Sequence, residues 1–210
     1  MAKTLNDALI ELDRDTVMAI VKGKLEAGED PLSILEEGRQ GMTSIGDKYQ
    51  AGDIFLAEMI ISAKIFGEAT DLLKPHLEKA LPATPLGKVV LVTPQGDLHD
   101  LGKNFFGTFL TTKGFEVHDL GVDVDPAVIV ESVREVKPDF VGLSGLITTV
   151  FASMKRTADA LEAAGLRDSF KLMIGGGVTS EKVRELVGAD FQTRDAMEGV
   201  EYCINHVTES

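Results

Sequence analysis

Apolar positions in the first part of the chain recur at helical intervals. From Pro31 onward, Leu32, Leu35, Met42, Ile45 and Tyr49 fall three, four or seven residues apart, the spacing of one buried helical stripe. Asp30-Pro31 supplies an N-cap and a first-turn proline. Gly38, Gly41 and Gly46 interrupt the segment at a cost in helix propensity, which points to close approach by a neighbouring helix or a ligand. Residues 54–77 predict a second long helix with a broad apolar face: Leu56, Met59, Ile60, Ala63, Phe66, Ala69, Leu73. Shorter helices are expected near 4–12 and 15–28. Four helices with short connections imply a small antiparallel bundle.

The period changes after Leu81-Pro-Ala-Thr-Pro-Leu-Gly87, which reads as a proline-bearing linker. Short apolar runs at 88–93, 115–120, 140–143 and 171–174, with a weaker one at 190–192, read as strands. Amphipathic stretches near 101–113, 126–137, 149–165, 179–187 and 195–206 alternate with them. Apolar strands alternating with helices form a parallel sheet covered on both faces. The expected fold is therefore α/β. A four-helix bundle over 1–84 is followed, over 85–210, by a Rossmann-like, flavodoxin-like doubly wound parallel sheet.

Composition narrows the function classes. The chain carries a formal net charge of −13, with 9 Lys/Arg against 15 Asp/Glu in residues 1–84 and 12 against 19 in 85–210. No basic face is left for phosphate backbones, so nucleic acid is not an expected partner. No apolar run approaches the roughly 20 residues of a membrane span. The N-terminus turns acidic before any stretch that could serve as a signal peptide. A soluble, cytoplasmic protein with no membrane partner is expected. Cys203 is the only cysteine, which excludes an internal disulfide and a multi-Cys metal site; in an amphipathic helix it reads as a small core residue.

The unusual residues fall at the carboxyl ends of the expected strands, the rim where open α/β sheets bind ligands. Gln95-Gly-Asp-Leu-His99, Gly121-Val-Asp123, Ser144-Gly-Leu-Ile-Thr148, Gly175-Gly-Gly177 and Thr193-Arg-Asp-Ala196 follow the five strands in turn. In Gly96-Asp97-Leu98-His99-Asp100-Leu101-Gly102, an Asp two residues before a His can hold one ring nitrogen and raise the basicity of the other. That pairing serves general-base catalysis or metal ligation; an N-capping Asp beside a solvated loop His is the plainer alternative. The rim shows no second His, no Cys and no nucleophile elbow. One imidazole among glycines and hydroxyls fits a single axial ligand to a metal that brings its own equatorial ligands. His76, His118 and His206 stand alone and read as surface or satisfied histidines, and Met42 and Met59 as bundle core.

Asp97-Leu-His99-Asp-Leu-Gly102 resembles the D-x-H-x-x-G motif of cobalamin-binding domains. Between Gly102 and Ser144-Gly-Leu146 there are 41 residues, and between Leu146 and Gly175-Gly176 there are 28, matching that family's S-x-L and G-G signals. The run Gly46-Asp-Lys-Tyr49-Gln-Ala-Gly-Asp-Ile-Phe55-Leu56 resembles the family's helical cap. Nearly the whole chain is thus similar to the corrinoid proteins of methyltransferase systems, small relatives of the cobalamin module of methionine synthase. The resemblance implies that His99 ligates cobalt in place of the corrinoid's own benzimidazole and that Asp97 orients that imidazole. It implies that the released nucleotide tail enters a cleft where Gly102 leaves room, Ser144 offers a hydroxyl and Gly175-Gly176 line the deep end. Leu98, Asp100, Leu146, Thr148 and Ala196 match further contact positions, and Tyr49 and Leu56 match cap residues over the upper, methyl-bearing face. Glu36 and Glu37 lie near a region where the family's cap can offer a carboxylate to the corrin edge.

Two positions depart from the family pattern. Ala57 stands where the cap motif has Pro after Phe-Leu. Val150 stands where methionine synthase has the Ser that extends the His–Asp pair, which shortens the proton relay. The implied function is a methyl carrier on a methylcobalamin cofactor cycling between Co(I) and Co(III), with no substrate site of its own. Its implied partners are a substrate-specific methyltransferase, a methyl-accepting methyltransferase using tetrahydrofolate or a similar carrier, and a reductive activator. Methanol, methylamines and methoxyaromatics are candidate donors. The rivals are a cobalamin light sensor or regulator, and the small subunit of an adenosylcobalamin mutase.

Overall fold

A computed structural model describes residues 3–77 and 85–208; within these, the side chains of Gln50, Leu56 and Thr112 lie outside the description. The chain divides into two compact units, Met1–Ala80 and Leu81–Ser210. Most of the expected linker at 81–87 falls outside the described residues.

The first unit holds four helices: α1 (Leu5–Ile10), α2 (Arg14–Glu26), α3 (Pro31–Ala51) and α4 (Leu56–Leu77). Each of the first three starts at a side chain that takes an orphan backbone N–H. Thr4 and Asp7 form a reciprocal capping box, Asp13 accepts from the Thr16 N–H, and Asp30 accepts from the Leu32 N–H ahead of Pro31. Gly52 ends α3 in the left-handed region. The core joins Leu5, Leu9, Ile34, Leu35, Ile45, Phe66 and Leu73, and the buried Ser62 hydroxyl donates to the Leu9 carbonyl at 3.0 Å.

The glycines of α3 divide by environment. A Cβ on Gly38 would stand 2.1 Å from Phe66 Cε2, and one on Gly41 would stand 3.2 Å from Leu9 Cδ1, so these two admit neighbouring helices. Gly46 has open space instead. The expected stripe holds through Met42 and Ile45 but not to its end: Tyr49 is 39% exposed. Of the expected α4 face, Phe66, Ala69 and Leu73 are buried, joined by Ser62 and Ile65, whereas Ile60 is exposed beside Ile61. A helix this apolar presents more hydrophobic surface than three partners cover. Ile60 and Ile61 therefore remain exposed, and so do Tyr49 on α3 and Phe55 just ahead of α4.

The second unit alternates β1 (Lys88–Val92), α5 (Leu101–Thr112), β2 (Glu116–Asp119), α6 (Pro126–Val136), β3 (Phe140–Ser144), α7 (Val150–Ala163), β4 (Lys171–Gly175), α8 (Glu181–Val187), β5 (Phe191–Thr193) and α9 (Ala196–Thr208). All strands pair in parallel, in the order β2-β1-β3-β4-β5. Right-handed crossovers put α5 and α6 on opposite faces; α5 packs with α9, and α6, α7 and α8 pack in succession. Strands β1, β3 and β4 are buried on both sides, and this is why they read as apolar runs without alternation. Because β1 leads leftward to β2 while β3 leads rightward to β4, the crevice beyond their carboxyl ends is a topological switch point. The register aligns Val92 with Leu143 and Ser144 with Gly175, so the loops after β1, β3 and β4 meet at one level.

Candidate functional site

Asp97 sits in the loop after β1, fully buried, and its carboxylate takes three donors. Oδ1 lies 2.6 Å from His99 Nδ1 and accepts the His99 backbone N–H at 3.1 Å. Oδ2 accepts the Leu146 N–H, from the loop after β3, at 2.7 Å. Burial by itself pushes this carboxyl up. The Leu146 N–H and the two His99 donors outweigh burial and hold it below the ordinary carboxylate range. An ionised carboxylate only accepts, so Nδ1 of His99 carries a proton, and in the neutral ring the lone pair is on Nε2. The imidazole is 52% exposed, which leaves Nε2 free to meet a ligand. One carboxylate thus ties the β1 loop to the β3 loop across the switch point and fixes the tautomer.

Around His99 the rim is apolar: Leu98 is 70% exposed, Leu146 47% and Ile147 37%. Large apolar side chains left in water beside a metal-ready nitrogen suit a ligand with a broad, greasy face. Gly102, at the start of α5, faces open space where a Cβ would project. Gly176 has φ +107°, and a Cβ there would stand 2.1 Å from the Gly145 carbonyl oxygen, so the loops after β3 and β4 touch backbone to backbone. The Gly145 N–H donates to the Gly175 carbonyl at 2.9 Å, sealing that contact. Ser144 is half-buried at the end of β3, Thr148 and Asp100 are exposed, and Ala196 is half-buried at the start of α9. The second unit therefore brings Asp97, Leu98, His99, Asp100, Gly102, Ser144, Leu146, Thr148, Gly175, Gly176 and Ala196 to its carboxyl rim. Tyr49 lies on α3 of the helical unit, and the side chain of Leu56 is outside the described residues.

Val150 is buried behind the β3 loop, where a Cβ on Gly145 would stand 2.5 Å from its Cγ1. The histidine–carboxylate pair ends at the Leu146 N–H rather than at a hydroxyl. Glu36 is held by Arg39 at 2.6 Å and Glu37 by Lys24 at 2.8 Å, both within the bundle. His118 pairs with Glu116, and His206 packs against Phe140 and Tyr202. Cys203 is buried, with its thiol pushed up to about 12 by burial.

Thr93 escaped sequence reasoning, and Asp123 and Ile147, though in rim segments singled out from the sequence, were given no role there. The buried Thr93 hydroxyl donates to the His99 carbonyl at 3.0 Å. Asp123 accepts the Gly96 N–H at 2.7 Å, and its own N–H donates to the Asp97 carbonyl at 3.0 Å. Ile147 extends the apolar rim. The signals were a hydroxyl ending an apolar strand and an Asp beside Gly121; Asp123 holds φ +54°, which short polar side chains tolerate.

Two family models, each described as a B12 binding domain, match residues 87–201 and 1–74. The chain belongs to the B12-binding corrinoid proteins. It is 35% identical over 204 residues to the dimethylamine corrinoid protein of Methanosarcina barkeri, covering 95% of this chain and 94% of that one. Its fold matches the monomethylamine corrinoid protein of Methanosarcina barkeri with a TM-score of 0.86 at 33% identity, over 96% of both chains. It also matches the methanol:cobalamin methyltransferase complex of that organism with a TM-score of 0.57 at 26% identity, over 98% of this chain and 79% of the other.

The rim fits a corrinoid on its own terms. Among the described residues no three His, Cys, Asp or Glu side chains gather as a metal cage. A macrocycle that supplies its own equatorial nitrogens needs only the one Nε2 offered here. Leu98, Leu146 and Ile147 present the apolar surface a flat ring requires, and the open space at Gly102 admits a pendant group. Among the described residues no helix is long and apolar enough to cross a membrane.

Proposed function

We propose that this corrinoid protein carries a methyl group within a methyltransferase system acting on a methylamine or a related small methyl donor. His99 would hold the cobalt in place of the cofactor's own benzimidazole. One observation carries the reading: the buried Asp97 fixes the Nδ1–H tautomer of a half-exposed imidazole on an apolar rim, with Nε2 on the side away from the carboxylate. When bound, the cobalamin supplies a cobalt that takes up a methyl group and gives it away. Asp97 holds the Nδ1 proton, and hydrogen bonding from the buried carboxylate makes Nε2 a stronger donor. Gly102, Ser144, Gly175 and Gly176 would line the tail's path, with Leu98, Asp100, Leu146, Thr148 and Ala196 around the ring.

Tyr49 and Leu56, which match the family's cap positions, would cover the methyl-bearing face. A capped face must open for a partner, so substrate-specific and methyl-accepting methyltransferases would bind in turn, with a reductive activator restoring the low-valent metal. Methylamine names on relatives aligned along almost the whole chain support methyl carriage over the light-sensor, regulator and mutase readings. The test is electron paramagnetic resonance of the Co(II) form loaded into protein grown on isotopically labelled histidine. Hyperfine coupling from protein nitrogen is expected; coupling from benzimidazole alone would remove His99 from the metal.

A further inference from the structure

Lys103 follows the glycine of the His99 motif and lies one helical turn beyond the histidine, yet nothing above uses it. Its side chain is only 2% exposed, whereas the other lysines among the described residues lie nearer water. A buried ammonium is tolerated only when its protons are taken. Here all three donors have acceptors: Nζ pairs with both carboxylate oxygens of Asp119, at the end of β2, and donates to Asn104 Oδ1 at 2.9 Å.

The contacts continue in both directions. Asn104 Nδ2 donates to Asp100 Oδ2 at 3.1 Å, and Asp100 is the residue after His99. On the other side, Asp119 Oδ1 accepts the Gly121 N–H at 2.8 Å, and the Gly121 carbonyl accepts the Thr93 N–H at 3.0 Å. The Thr93 hydroxyl then donates to the His99 carbonyl at 3.0 Å. The path closes on itself through the His99–Asp100 peptide.

We propose that Lys103 is a positioning residue for His99, the buried link in a closed ring of hydrogen bonds that clamps the His99–Asp100 peptide between the end of β1, the end of β2 and α5. Asp97 sets the ring tautomer, whereas this second circuit sets where the histidine's backbone stands. Opening it frees the peptide to shift, and an imidazole displaced by a fraction of an ångström competes poorly with the cofactor's own base. This consequence rests on the axial role proposed for His99; the clamp itself does not.

The test compares Lys103→Met, Asp119→Ala and, as a control for charge on the same helix, Lys113→Met. In the loaded protein, Co(II) resonance with labelled histidine gives the ratio of His-coordinated to benzimidazole-coordinated cobalt. Lys103→Met and Asp119→Ala are expected to lower it about tenfold, the scale of one lost hydrogen bond to a charged group, with corrinoid content per chain retained. Lys113→Met is expected to match the wild type. In the cofactor-free chain, nuclear magnetic resonance follows solvent exchange of the His99 Nδ1–H, which is expected to quicken in the first two variants alone. Wild-type ratios and wild-type exchange in both ring variants overturn the proposal. If the wild-type protein shows no histidine nitrogen on cobalt, the axial reading fails, and the exchange arm judges the clamp by itself: faster exchange sustains it and unchanged exchange overturns it. Should Lys103→Met not fold, Asp119→Ala carries both arms, because Asp119 is 40% exposed.

Discussion

A single carboxylate sets the tautomer of the rim imidazole. Asp97→Asn keeps the shape but offers one acceptor where His99 and the Leu146 N–H both need one. One buried donor is left unpaired, at a cost of about 1–3 kcal/mol. The expected outcome is a lower urea midpoint and imidazole nitrogen shifts that report a mixture of tautomers. A second carboxylate makes a separate, pH-dependent statement. The Asp13 carboxyl is held at about 2 by hydrogen bonds from Lys3, foremost, and from Thr16. Its folded value lies below its unfolded one, so its stabilising effect is complete above roughly pH 4 and fades as pH falls toward 2. Carbon shifts of Asp13 should titrate near that lower value. The stability gap between wild type and Asp13→Ala should close across the same window; a constant gap would contradict the assignment. The Asp–His pair was legible because it is local in the chain. Thr93, Lys103 and Asp119 were not, because strand register and crossover, rather than sequence spacing, bring them together.

Among the elements, the glycines of α3 give predictions of opposite sign. Gly46→Ala should stabilise the bundle by about 1 kcal/mol through helix propensity alone. Gly38→Ala gains the same term but drives a methyl into the Phe66 ring, and overpacking of about 1–3 kcal/mol should make it a net loss. Urea denaturation of the cofactor-free chain, followed by helical circular dichroism, separates the two. On α5, Gly102→Val should leave melting near wild type, since its Cβ meets nothing within 4 Å, while weakening corrinoid binding. Undiminished affinity for the complete cofactor would show that the tail takes another route. Strand positions were readable to within a residue or two, because burial on both faces leaves a continuous apolar run. The face of α4 was legible only in part, for the complementary reason. Its apolar residues extend around more than half the helix, and the pattern cannot say which of them the neighbours cover.

For the whole molecule, the strand order and the rim followed from alternation of strand and helix together with the handedness of the crossovers. The exposed apolar residues of the helical unit came only from the structure. Tyr49→Ala, at a 39% exposed position, should change melting little. If the helical unit shields the methyl-bearing face, that variant should photolyse its methyl–cobalt form several-fold faster than wild type; an unchanged rate would mean that Tyr49 shields nothing. The sulfur inventory offers a way to watch such shielding directly. Cys203 is the only cysteine in the chain, is sealed in the core with Sγ 3.6 Å from Met173 Sδ, and stays protonated at any working pH. The native protein is therefore chemically silent toward thiol-directed probes. A cysteine introduced at one exposed site in each unit would carry the only labels on the molecule. A pair of spin or fluorescent tags would then report, without background, whether the distance between the two units changes when a candidate methyltransferase is added.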